Sequence, residues 1–189
     1  MIFSALKKLP FYRNYTTGQW GRWWQKRKID WVKDYSSTWN HPHRQMLSFL
    51  LSKLQWMSLL EVGCGSGANL INIVKRFEGQ PKQVGGVDIN PDAIEIAQKT
   101  FQGAYFRVSP AHDVMMSDNS ADVVLTDMCL IYVGPSKIHM AINEMKRIGR
   151  NYVILSEFHS ENWYARIKLL LRSGLFAYNY RKLLENHGF

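Results

Sequence analysis

From residue 58 onward the apolar positions fall into short continuous runs separated by segments with helical spacing. Residues 58–63, 83–88, 104–108, 122–126 and 152–157 read as strands. Strands that are apolar throughout, rather than alternating, are expected where a parallel sheet is covered on both faces. Residues 68–77, 91–100 and 136–148 read as helices between them. The second of these opens with Asn90 as a cap and Pro91 at its first position. This alternation predicts an α/β fold, a doubly wound, mostly parallel sheet with helices on both faces.

The first 56 residues carry another pattern. Gly18 and Gly21 are expected to break a Trp-rich stretch, after which residues 25–35 form a helix with Ile29, Trp31 and Val32 partly inward. Pro42 suits the first turn of a further helix running to about Leu54. Its Met46, Leu47, Leu50, Leu51 and Leu54 follow helical spacing. The chain thus divides into an N-terminal helical arm, residues 1–56, and an α/β domain, residues 57–189.

Composition narrows the class. A length of 189 residues suits one such domain with its arm, and 46% hydrophobic with 21% charged residues is ordinary for a globular protein. Two cysteines, Cys64 and Cys129, imply no disulfide framework. No apolar run reaches the roughly 18–20 residues that span a bilayer. A cytoplasmic location without a membrane partner is the expectation. The net charge of +9 is unevenly placed: residues 1–33 hold eight Lys or Arg against one acid, Asp30. Residues 7–33 are either a surface for nucleic acid or another phosphate-bearing partner, or a solvated arm whose aromatics pack on the domain.

The most informative stretch is Leu59-Leu60-Glu61-Val62-Gly63-Cys64-Gly65-Ser66-Gly67. A buried strand runs into three alternating glycines and then a helix, whose free N–H groups favour an anion. The spacing lacks the last glycine of the dinucleotide fingerprint, and no Lys-Ser/Thr follows to make an ATP-type loop. Asp88 ends the next strand, 21 residues after Gly67, where an acid can accept from both hydroxyls of a ribose.

Glu61 to Gly67 followed by Val87-Asp88-Ile89-Asn90-Pro91 resembles motifs I and II of class I S-adenosylmethionine (SAM)-dependent methyltransferases, of the type 11 and type 25 kind. Residues 122–133 are similar to their motif IV, residues 141–147 to the helix after it, and the likeness covers about residues 35 to 189. The resemblance implies a Rossmann-like domain that binds SAM, with S-adenosylhomocysteine (SAH) as product. It places Gly63, Cys64, Gly65 and Gly67 against the methionine part, Glu61 at the amino group, Asp88 on the ribose and Ile89 along the adenine. Where the family often has an acid for the adenine amino group, this chain has Ser109-Pro110-Ala111-His112-Asp113. Backbone groups around Ala111 and His112 are then the expected contacts, with Asp113 as an alternative.

The end of the fourth strand, from Thr126 to Tyr132, should face the reacting methyl group, because open α/β sheets bind ligands at the carboxyl ends of their strands. It matches neither the signature of exocyclic-amine methylation of bases nor the Pro-Cys pair of cytosine-C5 enzymes. Asp127 is the expected polar contact to SAM or acceptor, and His159, after the fifth strand, the expected base if one is needed. His41 and His43 flank Pro42 and could face the cofactor entrance, but no third ligand makes a metal site of them. The aromatics Tyr12, Tyr15, Trp20, Trp23, Trp24, Trp31, Tyr35 and Trp39 could form a lid, stack nucleobases, or pack on the core.

The expected function is methyl transfer to an oxygen or nitrogen atom of a small or medium-sized acceptor. RNA methylation through the basic arm, and SAM binding without catalysis, remain as alternatives. The family's sheet continues into two further strands that this sequence does not supply, so the fifth strand is expected at an open edge. A homodimer pairing through that edge, with Trp163, Ile167, Leu170 and Leu171 around it, follows as an expectation.

Overall fold

A computed structural model describes residues 18–36, 38, 40–80 and 82–189. Lys7, Lys8, Tyr12, Arg13, Tyr15, Trp39 and the side chain of Tyr35 lie outside the described residues. Among the described residues three helices come first: α1 (Gly18–Lys26), α2 (Trp31–Ser36) and α3 (Pro42–Leu51). The domain follows as β1 (Ser58–Val62), α4 (Ala68–Arg76), β2 (Gln83–Asp88), α5 (Pro91–Thr100), β3 (Phe106–Val108) and β4 (Ala121–Asp127). A 3-10 turn, Leu130–Tyr132, leads to α6 (Ile138–Ile148), β5 (Gly149–Ser156), α7 (Trp163–Ser173) and α8 (Tyr180–Asn186).

All strands pair in parallel, in the order β3-β2-β1-β4-β5. The order reverses between β1 and β4, which leaves a crevice beyond their carboxyl ends. Register carries Glu61 beside Gly86 and Leu125, and Asp127 beside Ser156. Both faces are covered. Leu60, Val124, Ile142, Met145 and Leu183 pack on one, and Leu51, Leu59, Leu70, Ile94 and Leu125 on the other. This two-sided burial explains the unalternating strands: β4 is buried from Ala121 to Thr126, whereas β5, at the edge, is half-buried along residues 153–156.

The arm differs from the expected pattern. The chain is helical through Gly21, and residues 27–30 separate two helices where one was expected over 25–35. Asn90 Nδ2 donates to the carbonyls of Trp24 (2.6 Å) and Arg27 (2.9 Å) at the end of α1. Asp30 accepts from the N–H of Lys33 at 2.9 Å and starts α2. Unpaired helix-end groups are satisfied on both sides of the break. Helical Gly21 costs about 1 kcal/mol against Ala, offset by packing against Ile89, whose Cδ1 lies 3.4 Å from where a Cβ would stand.

Candidate active site

The turn after β1 is shaped by close packing. Gly63 has φ +81°, and a Cβ there would stand 2.4 Å from Cys129 Sγ; Gly67 has φ +88°, with Phe101 Cε2 at 2.7 Å. Glycine is needed here for the protein's own neighbours as well as for backbone conformation. The N–H groups of Gly63 and Cys64 donate to the Val87 carbonyl (2.8 and 3.1 Å), tying the turn to β2. Asp88 locks it from the other side, Oδ2 accepting from Gly65 N–H (2.9 Å) and Oδ1 from Asn90 N–H (2.8 Å).

A cavity of about 280 Å³ opens here, close to the lower end of the roughly 300–1,000 Å³ usual for small-molecule sites. It is lined by Glu61, Gly63, Cys64, Asp88, Ile89, Ala111, His112 and Asp127, all expected from sequence. Gly65 and Gly67 shape the turn without lining the cavity, and Asp113 is exposed. His159 stands elsewhere: it is exposed, and its Nδ1 accepts from Tyr180 N–H at 3.2 Å. It does not line the cavity, because the chain turns away after β5 to pair Phe158–Ser160 with Tyr178.

His43, expected near the cofactor entrance, and Trp24, one of the aromatics expected as a possible lid, line the cavity together with Asn69, Arg44 and Lys137, which sequence did not single out. Asn69, in the first turn of α4, donates from Nδ2 to Glu61 Oε1 (2.6 Å) and to Asp127 Oδ2 (3.0 Å). His43 Nε2 lies 2.9 Å from the same Asp127 oxygen, and its Nδ1 is 2.5 Å from His41 Nδ1. Arg44 is buried in the wall, and Lys137 lines the far side. Trp24 and Gly21 of α1 close the cavity above, Trp24 against Tyr132 with ring centroids 5.1 Å apart. Beneath the loop after β4, Glu157 accepts from the N–H groups of Cys129 and Leu130 (both 3.0 Å) and Ile131 (3.3 Å). A carboxylate satisfying free N–H groups at the start of a helical turn is the signal that could have revealed it.

Burial dominates the electrostatics. Desolvation pushes the Glu61 carboxyl up to about 8, with Asp127 adding to the rise and the Asn69 hydrogen bond opposing it. Glu157 is pushed up to about 7 by burial, against its backbone donors, and Asp88 is raised by burial too. Burial also holds the Cys64 and Cys129 thiols well above their ordinary range, which suits packing rather than nucleophilic attack. Glu61 Oε2 and Asp127 Oδ1 are buried without a hydrogen-bond partner. Both oxygens are free to accept from a group that enters the cavity, and the amino group of SAM is one that fits. In the arm, Lys28 pairs with Asp92, and Arg27 stacks over Trp23 (4.6 Å) and Trp24 (4.7 Å), so these cations are engaged within the chain.

Residues 59–151 match the methyltransferase domain family. The ajmaline N-methyltransferase of Rauvolfia serpentina is 31% identical over 113 residues, which is 55% of this chain and 37% of that protein. The ribosomal protein L11 methyltransferase of Dictyoglomus turgidum is 29% identical over 153 residues, 67% of this chain and 50% of its own. The chain thus spans between about a third and a half of the length of these curated relatives. The geranyl diphosphate C-methyltransferase of Streptomyces coelicolor A3(2) shares the fold, with a TM-score of 0.66 over 90% of this chain and 78% of that one at 13% identity. Residues 59–151 are thus a methyltransferase domain, and these matches together support a class I SAM-dependent methyltransferase family.

Proposed function

We propose that this protein transfers the methyl group of SAM to an oxygen or nitrogen atom of a small or medium-sized acceptor. The observation that carries the reading is the pair of buried, unpartnered oxygens on Glu61 and Asp127, facing one cavity with Asp88 at its rim. Glu61 Oε2 accepts from the cofactor's amino group. Asp88 accepts from the ribose hydroxyls while its backbone donors fix its orientation. Ile89 and the backbone at Ala111 and His112 hold the adenine. Bound SAM supplies an electrophilic methyl group on a sulfonium, so catalysis rests mainly on alignment of the acceptor lone pair.

Trp24 and Tyr132 close the cavity and keep water from competing with the acceptor. Asp127 Oδ1 is the polar contact for cofactor or acceptor. His43, held on Asp127 Oδ2, leads to exposed His41 and gives a proton taken there a way out. The nitrogen-methylating relative in Rauvolfia favours an amine acceptor. Incubation of the protein with methyl-tritiated SAM and fractionated cell extract tests this. Label in the small-molecule fraction supports the reading. Label in RNA or protein moves the acceptor to that class. Retained SAM binding without label in any fraction leaves a binding protein without catalysis.

A further inference from the structure

The segment after β5 presents apolar surface with no cover among the described residues. None of the eleven residues of α7 is buried. The helix is capped at both ends. Asn162 Oδ1 accepts from the N–H groups of Tyr164 (2.9 Å) and Ala165 (3.3 Å), and Gly174, at φ +72°, donates back to the Leu170 carbonyl at 2.8 Å. Along its outer side Trp163 (65% exposed), Ile167 (44%) and Leu171 (52%) recur every four residues, with Tyr164 (63%) beside them. An apolar stripe of this kind ordinarily faces a core. Here it faces outward, and large exposed apolar patches mark interaction sites.

The flanks of the stripe decide what it fits. Arg166, Lys168 and Arg172 are the charged residues of α7, and the helix holds no acid. Next to its C-terminal end sits α1, whose Trp20 Nε1 donates to the Gly174 carbonyl at 3.1 Å. That helix adds exposed Arg22, Trp23 and Lys26.

We propose that α7 is an interfacial helix that docks the protein on an anionic membrane surface. The Trp163–Ile167–Leu171 stripe enters the boundary between headgroups and acyl chains, and Lys168 and Arg172 reach lipid phosphates. A second copy fits less well. A two-fold contact sets the same patch against itself, and these cations would meet their own copies with no acid on the helix to pair with them. Nucleic acid would engage the cations and leave Ile167 and Leu171 in water. The sequence has no apolar run long enough to span a membrane, and no helix among the described residues is long and apolar enough to cross one. Lying flat needs no such run: one apolar side and a cationic flank suffice.

Co-sedimentation of the full chain with vesicles tests the assignment. At low salt the protein should pellet with phosphatidylcholine vesicles containing about 30% phosphatidylserine, and stay in solution with phosphatidylcholine alone or in about 0.5 M salt. The paired change Lys168→Glu and Arg172→Glu should weaken partitioning at least about 25-fold, at about five-fold per cation. Ile167→Asp, or Trp163→Ser should that variant misfold, should abolish binding with circular dichroism and SAH affinity unchanged. No pelleting at low salt, or equal pelleting of wild type and folded variants, overturns the proposal. So does a dimer by light scattering that Ile167→Asp disperses, or an RNA gel shift lost in the charge-reversed variant and kept in Ile167→Asp.

Discussion

Glu61 makes the affinity for cofactor depend on pH in a direction that can be worked out. Its carboxyl is buried and pushed up to about 8, so in the empty protein it is mostly protonated at neutral pH. An ammonium group placed against Oε2 prefers the carboxylate, and binding therefore expels a proton. With a value of about 8, about one tenth of the molecules carry the ionised form at pH 7. The apparent affinity for SAH should then be about ten-fold below its alkaline limit, which is about 1.4 kcal/mol. It should rise about ten-fold per pH unit up to pH 8 and flatten above. Calorimetry in two buffers of different ionisation enthalpy should register about 0.9 proton released at pH 7. Glu61→Gln keeps the shape and can still meet Asn69, but loses both the charge and the pH dependence. An SAH affinity that does not change between about pH 6 and pH 8, or a slope that survives in Glu61→Gln, refutes the assignment.

Further outcomes follow from the same geometry. Because Glu61 is raised from 4.5 to about 8 on folding, its contribution to stability is complete below about pH 4.5 and is lost as pH rises through 8. Thermal melting of the ligand-free protein should fall over that window, by up to about 1.4 kcal/mol per pH unit, and Glu61→Gln should flatten the fall. Asp88→Ala should weaken SAH binding by roughly 1.5–3 kcal/mol, read by calorimetry, since charge-assisted hydrogen bonds are lost; unchanged affinity counts against the ribose role. Gly63→Ala would set a Cβ against Cys129 at φ +81°. It should cost about 1–3 kcal/mol in backbone strain before the clash is added, visible as a lower melting temperature. His43→Ala should lower the methyl-transfer rate more than SAH affinity, whereas His159→Ala should leave both near wild type in the same assays.

What sequence by itself determined is local. The run into β1, the glycines after it, and the Asn90-Pro91 start of α5 are set by neighbouring residues, through positive φ and a side-chain cap. Asp88 was legible because an acid at the next strand's end answers a glycine turn in a parallel sheet. Ends of elements were less legible: β5 begins at Gly149, three residues earlier than its apolar run suggests, with a register shift opposite Ala121 and Val123. The tertiary structure alone decided the rest. Asn90 caps α5 and also receives the end of α1, so helix continuity through Gly21 was settled by a contact far along the chain. Asp127 and His43 were expected near the site, but packing decided that His43 and Asn69, from two helices, meet on one Asp127 oxygen. His159 follows the neighbouring strand yet leaves the site, because a backbone bridge to Tyr178 turns it outward. Such placements depend on hydrogen bonds and packing between segments distant in sequence, and neither periodicity nor spacing carries that information.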